Sequence, residues 1–298
     1  MKKPTIPAGA RRRAKRAFTL IEIMVATAIM VILVGLVIQI TSQVLNVWTR
    51  SSGRLTALAS ARIAMELITQ DLETAVFRNN DMSWLYAKND ALPVLGGTTN
   101  TVSLRLFSPA LDRPEGPGDI CAIAYQLRFA NPITGDDSGD DRLFVLYRRI
   151  IDPQTTFDSL MGVGNQENIT DESATWGNWA SGGGGNNIGP DDYLVSNIAS
   201  FEIQFHVEDD ATPGGTLVTN GDGTIFGGPR ATVGAGAANA AGPFQRPLAY
   251  ADIRLTVLSD EGAEILQNLD LTGSTLDEVL LEHSQVFYRR VYFPSRPI

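Results

Sequence analysis

Hydrophobic positions follow three regimes along this chain. From Leu20 the sequence is almost continuously apolar, and the 18 residues Ile23 to Ile40 carry no charge, with only Thr27, Gly35 and Gln39 interrupting. That length is near the lower limit for a helix that crosses a bilayer, and Leu20, Ile21 and the apolar residues after Ile40 extend it. Next, Leu58, Ala61, Met65, Ile68, Leu72 and Ala75 recur at alternating spacings of three and four, which is one face of an amphipathic helix. Arg62, Glu66, Gln70 and Glu73 fall elsewhere on it. Ser51-Ser52-Gly53 is the weak point between the two halves, where poor helix formers favour a kink or local loosening. The predicted helix covers residues 18–80, with a spanning part at about 20–47 and an amphipathic part at about 48–78.

From residue 81 the period changes to two. Val102, Leu104 and Leu106 alternate with Ser103, Arg105 and Phe107, and Cys121, Ile123, Tyr125, Leu127 and Phe129 alternate with Ala122, Ala124, Gln126 and Arg128. Leu143 to Ile150 forms a further strand, paired with the preceding one as a hairpin across the polar loop 133–141. Phe201, Ile203, Phe205 and Val207 give a half-buried strand, Ile253, Leu255 and Val257 another, and Val286 to Phe293 a last. Residues 153–192 and 209–246 are Gly-rich loops without period. The fold class is α+β: a long N-terminal helix on a mainly antiparallel head, residues 81–298.

Charge sets the orientation. Residues 1–17 carry Lys2, Lys3, Arg11, Arg12, Arg13, Lys15 and Arg16 and no acid. This end therefore stays cytoplasmic by the positive-inside rule. A cleavable secretory signal has a shorter apolar core closed by small residues; here the small residue, Ala17, precedes the run. Without those seven cations the formal charge goes from −9 to −16, since 17 Lys and Arg then face 33 acids. Such an exterior argues against a nucleic-acid partner. Glu22 is a carboxylate inside the apolar run, where an ionisable group marks function and needs a partner.

The stretch Ala17-Phe18-Thr19-Leu20-Ile21-Glu22 resembles the cleavage and methylation signature of type IV prepilins and type II secretion pseudopilins. The resemblance implies a basic leader, 1–17, cut by a prepilin peptidase between Ala17 and Phe18, with Phe18 then N-methylated. It further implies that Glu22 meets the amino terminus of a neighbouring subunit. The family nearly always has Gly at the position of Ala17. Scattered hydrophobic positions over Tyr125–Arg149, Leu194–Phe201, Pro247 and Ala251–Leu255 are most similar to the J-type minor pseudopilin. That likeness implies a pilin-like filament subunit in the inner membrane, assembled with other pseudopilins, its head periplasmic. In this family the tip subunit usually lacks the glutamate, so Glu22 implies a place below the tip.

Candidate chemistry in the head is sparse. His206 and His283 cannot make a three-His zinc site, and no nucleophile elbow, phosphate loop or dinucleotide fingerprint occurs. His206 falls on the polar face of its strand and reads as solvated, and Cys121 falls on the apolar face and reads as a small core residue. Asp136, Asp137, Asp140 and Asp141 are candidate calcium ligands, without the spacing of an EF-hand. No cofactor is otherwise implied, and the reading is not an enzyme. Two alternatives share parts of the pattern: a minor pilin of a type IV pilus or DNA-uptake machine, and a periplasmic binding or enzymatic domain on an uncleaved signal anchor.

Overall fold

The computed structural model describes residues 19–77, 84–94, 97–110, 112, 116–135, 142–161, 169, 190–207, 216–218, 224–226, 248–268 and 274–293. The long helix α1, Leu20–Glu73, is assigned without a break through Ser51-Ser52-Gly53, although the chain divides into two compact units just after Ser51. The second unit thus includes the amphipathic part of α1. It also contains β1 (Leu85–Val94), β2 (Gly97–Ser108), β3 (Cys121–Ala130), β4 (Leu143–Ile151) and the short helix α2 (Pro153–Thr155). After these come β5 (Tyr193–Ser196), β6 (Ile198–Val207), β7 (Thr216–Val218), β8 (Thr224–Phe226) and β9 (Leu248–Leu258). Helices α3 (Asp260–Asn268) and α4 (Ser274–His283) then lead into β10 (Ser284–Tyr292).

The strands form one sheet in the order β10-β9-β6-β2-β3-β4-β5, with β1 on β2, β8 on β1 and β7 on β6. Pairing is antiparallel except where Thr101 of β2 meets Phe201 of β6 in parallel. The predicted hairpin is present as β3 and β4, in register from Ala130↔Leu143 to Ala122↔Ile151. A long helix followed by a mainly antiparallel sheet is the expected fold class.

The helix face that meets the sheet is rotated from the expected one. Ala57, Ala61, Ala64, Met65, Ile68 and Leu72 are buried, whereas Leu58 is 39% exposed. At about 100° per residue Leu58 stands roughly 80° around the helix from Ile68, on the rim of the contact. Three alanines let the backbone of α1 come close to the strands, and Leu55 and Ile63 face outward. The helix also ends at Glu73, short of the expected 78. Thr74 turns its hydroxyl back to the Gln70 carbonyl at 2.8 Å, and the Val76 amide then donates to Phe107 O at 2.8 Å, joining the sheet.

A polar cluster lies inside this helix–sheet boundary. Arg148 of β4 donates from Nε to Asp71 Oδ2 at 2.8 Å and from Nη2 to Asp71 Oδ1 at 3.1 Å. The other edge of the guanidinium donates to Asp112 at 2.6 and 3.1 Å. Tyr125 of β3 donates its hydroxyl to Asp71 and accepts from Arg148 Nε at 2.9 Å. Asp71 and Arg148 are almost fully buried, with side chains 3% and 6% exposed. Burial, and after it the Asp71 charge, push the Tyr125 phenol well above its ordinary range. A buried pair this well hydrogen-bonded fixes one docking of α1, because any slip strands a charge in low dielectric.

Strand β3 is buried at every position, so its second face is covered too. The chain returns over it after β4: Thr156 accepts the Ala122 amide at 3.0 Å and donates to Ile151 O at 3.1 Å. Arg105 on β2 donates to Ile169 O at 2.9 Å. The second face of β3 is therefore buried although it carries Gln126 and Arg128 beside Ala122, Ala124 and Ala130.

Residues 259–283, to which the period-two pattern assigns nothing, contain α3 and α4. Ser259 starts α3, accepting the Gly262 amide on Oγ at 3.2 Å and the Ala263 amide on its carbonyl at 2.9 Å. Asp260 and Glu261 in the first turn suit the helix dipole. Leu266 buries with Phe129, Phe144, Ala199 and Leu258 in a second small core.

Two glycines separate packing from propensity. A Cβ on Gly262 would lie 2.5 Å from His283 Cβ, whereas on Gly53 it would meet Asp260 N at 3.7 Å, an ordinary contact. A chain beginning near Thr49 is expected to be soluble and to unfold cooperatively. In it, Gly53→Ala should gain about 0.5–1 kcal/mol from helix propensity, and Gly262→Ala should lose about 1–3 kcal/mol by overpacking. Thermal unfolding checks both, and equal effects would refute the packing described here.

The tyrosines predict an alkaline limit. Tyr125 is raised, and burial pushes Tyr147 up to about 12. The fold favours both phenols in their protonated form, so their contribution is complete below the unfolded value of about 10 and is lost as pH rises through it. The loss should be about 1.4 kcal/mol per pH unit for each tyrosine. Denaturant titrations of Tyr125→Phe between pH 9 and 11 should show a shallower decline than wild type; an identical slope would rule Tyr125 out.

Candidate functional site

Of the residues picked out for processing and assembly, Ala17 and Phe18 lie outside the described residues, and Glu22 lies within them. Leu20–Leu45 is the one described helix segment long and apolar enough to cross a membrane, and its side chains are exposed wherever described. Both of its threonine hydroxyls turn back on the helix: Thr27 donates to Met24 O at 2.9 Å and Thr41 to Val37 O at 2.8 Å. A hydroxyl turned back on its own helix presents no unpaired donor to lipid. Ala26, Ala28 and Gly35 leave shallow places on this surface, and nothing stands within 4 Å of a Cβ built on Gly35.

Glu22 closes the first turn of α1. Its Oε2 accepts the Thr19 amide at 2.9 Å and the Thr19 hydroxyl at 3.0 Å. The Glu22 amide donates to Thr19 Oγ1 at 3.3 Å and Thr19 O at 3.1 Å. Thr19-Leu20-Ile21-Glu22 is thus a reciprocal capping box, with Thr19 at the N-cap and Glu22 three residues on. The signal stands in the sequence as Thr-x-x-Glu ahead of an apolar run, yet reading Glu22 as a solitary charge in lipid overlooks it. The cap supplies amides that a helix terminus otherwise leaves unpaired and lowers the cost of a carboxylate near the end of a span.

Among the described residues, a further concentration of charged and aromatic groups lies on β6, β9 and β10. Arg290 grips Asp252 through Nε at 2.7 Å and Nη2 at 2.9 Å, and its guanidinium lies 4.1 Å from the Tyr250 ring centre. His206 stacks on Tyr250, centroids 4.3 Å apart and planes 18° apart, with Nε2 3.7 Å from Asp252. The solvated histidine expected from the strand pattern is instead largely covered, with 15% of its side chain exposed. Burial lowers its pKa, against the pull of Asp252, and Arg290 lowers it further. With Arg290 already holding Asp252, the arrangement is a surface network without a nucleophile.

The two histidines do not come together, since His283 has Glu261 at 3.9 Å as its acidic neighbour. Cys121 is buried on β3. No group of three His, Cys, Asp or Glu residues suited to a metal ion occurs among the described residues. Asp136, Asp137, Asp140 and Asp141 fall outside them.

Residues 12–38 match the prokaryotic N-terminal methylation motif. No curated protein matches the chain in sequence. Among solved structures, a type IV-like pilin from Thermus thermophilus aligns over 80% of this chain and 96% of its own, at 9% identity and a TM-score of 0.35. The methylation motif thus overlaps the start of the apolar helix segment Leu20–Leu45.

Proposed function

We propose that this chain is a minor pseudopilin of a type II secretion pseudopilus, held below the tip. The observation that supports the reading is the coincidence of three boundaries within five residues. The basic stretch ends at Arg16, the resemblance implies a cut between Ala17 and Phe18, and the capped helix begins at Leu20. A mature chain starting at Phe18 puts its amine one residue ahead of the N-cap. In this reading Phe18 is N-methylated, the leader stays cytoplasmic, and the head is periplasmic on an inner-membrane anchor.

Assembly then follows from solvation. A membrane helix leaves lipid only if its apolar surface is reburied against other helices, and Ala26, Ala28 and Gly35 permit close approach. Glu22 supplies the charge that a neighbouring methylated amine needs. The scattered likeness of the strand region to the J-type subunit supports the secretion role. A minor pilin of a pilus or DNA-uptake machine shares the same N-terminus, and the neighbouring genes distinguish the two.

Two measurements test the reading. Mass spectrometry of the membrane-extracted protein should find N-methyl-Phe18 as the first residue; an intact leader in cells with an active prepilin peptidase refutes it. Glu22→Gln should insert and be cleaved normally but fail to assemble, because the neighbour's amine then lacks a counter-ion. Breaking such a pair in low dielectric costs about 3–5 kcal/mol. Crosslinking between N-terminal helices at the wild-type level in Glu22→Gln would remove the role given to the carboxylate.

A further inference from the structure

We propose that the outer edge of β10 takes an extended acidic segment of a partner protein, added to the sheet as a further strand beside Tyr288 and Tyr292. This surface belongs to the head, so the proposal goes beyond the reading of the N-terminal helix and is tested apart from it. The first observation is an edge left open. Strand β10 ends the sheet order, and among the described residues no strand pairs with its far side. It runs with β9 from Ser284↔Leu258 to Tyr292↔Tyr250 without a register shift. Sheets protect such edges with Lys, Pro, bulges or short strands. The other outermost strands follow that rule: β7 and β8 have three residues each and β5 has four, with a register shift between β4 and β5. Strand β10, Ser-Gln-Val-Phe-Tyr-Arg-Arg-Val-Tyr, has none of these devices.

The second observation is what lies beside that edge. Val286, Tyr288, Arg290 and Tyr292 share one face of β10 at period two, while Phe287 and Val291 on the other face pack into the core. Tyr288 and Tyr292 are 60% and 64% exposed, yet neighbours hold both. Arg290 Nη2 donates to Tyr288 Oη at 3.4 Å, and Tyr292 leans on Tyr250 with ring centres 5.9 Å apart. Exposed aromatic groups beside arginine are what protein interfaces concentrate, and a side chain fixed in advance loses little entropy on binding.

Charge selects the occupant. Arg290 is 40% exposed, whereas Asp252, the carboxylate it grips, is 11% exposed. Arg254, opposite Tyr288 on β9, is likewise more exposed than its partner Glu202. Guanidinium groups thus stand in front of sunken carboxylates, and this face turns positive charge outward on a chain whose net charge is −9. An extended segment with acids at alternate positions lays its main chain along β10 and its carboxylates toward Arg290 and Arg254. Main-chain bonds give strand addition its affinity and side chains its specificity; complementary charge adds selectivity and speed.

Full-length protein extracted in detergent is titrated with an end-blocked nine-residue peptide, the length of β10, in which Val and Glu alternate. A Val–Lys peptide is the charge-reversed control. Fluorescence anisotropy of labelled peptide gives the affinity. Hydrogen exchange gives the location, because edge-strand amides that point away from the sheet become bonded when a strand is added. The Val–Glu peptide should bind about tenfold tighter than Val–Lys at low salt, a preference that fades as salt rises. Amides of residues 284–292 should exchange more slowly with it bound. Tyr288→Ser combined with Tyr292→Ser should weaken binding about tenfold and leave the unfolding midpoint at the wild-type value, since both side chains are mostly exposed. Arg254→Gln should reduce the preference for Glu over Lys.

Equal affinity for the two peptides overturns the acidic partner, and binding that leaves β10 exchange unchanged overturns strand addition. Absence of saturable binding by the Val–Glu peptide overturns both. If β10 exchange already slows as protein concentration rises without peptide, the edge belongs to a second copy of this chain and the assignment to a partner protein is wrong. Should the tyrosine variant unfold early, Arg254→Gln decides instead: an unchanged preference for Glu overturns the proposal, and a lost one supports it.

Discussion

Where α1 meets the sheet, a buried carboxylate decides the register. Hydrophobic contact alone, through Ala57, Ala61, Ile68 and Leu72, is tolerant of a slide or a small rotation, since apolar surface is non-directional in what it accepts. Asp71 is not tolerant. Its two oxygens are taken by Arg148 from β4 and the hydroxyl of Tyr125 from β3, and those strands are locked to each other over nine residue pairs. Asp112 closes the far edge of the guanidinium, tying in the loop after β2. By contrast, the second ion pair from α1, Glu66 with Arg289 of β10 at 2.9 Å, is open to solvent and contributes little. One buried network therefore sets how the helix lies, and the apolar face fills the space around it.

That network explains which parts of the fold the sequence disclosed. Period-two stretches such as Phe201 to Val207 were legible because one face is buried and the other is not. In β3, Gln126 and Arg128 mimic a wet face although both are buried, the strand being covered on both sides. Strand β1 escaped because Lys88, Asn89, Asp90 and Pro93 break any alternation, its place being set by pairing along β2. Helices α3 and α4 are short, but Ser259-Asp260-Glu261 was a readable start signal. The amphipathic stripe of α1 was correct for five positions and erred at Leu58. Spacing alone weights every apolar residue equally, whereas the true contact centres on alanines and on a charged residue that no hydrophobic pattern would select.

The candidate site divides in the same way. Its residues were legible as a motif, since a basic block, an apolar run and one glutamate at a fixed offset are properties of composition and order. The hydrogen bonding was legible too, as Thr-x-x-Glu, but attention to the unusual charge obscured the ordinary capping box that contains it. His206 shows the opposite error. Its alternation put it on the solvent side, and only the neighbouring strands could reveal that Tyr250 of β9 and Arg290 of β10 cover it.

Asp71 and Glu22 sit on one helix and face the same electrostatic problem with different resources. Asp71 finds a guanidinium and a phenol within its own chain, so its charge is matched and its lone pairs are filled. Glu22 has hydrogen bonds from Thr19 and nothing more among the described residues. Hydrogen bonds stabilise a carboxylate but leave its net charge in place, and in a medium of low dielectric an unmatched charge attracts an opposite one far more strongly than in water. Among the described residues, Asp71 is thus matched within its own chain and Glu22 is not. Under the function proposed above, a neighbouring subunit supplies the missing charge, so that one end of the helix is satisfied by folding and the other by assembly.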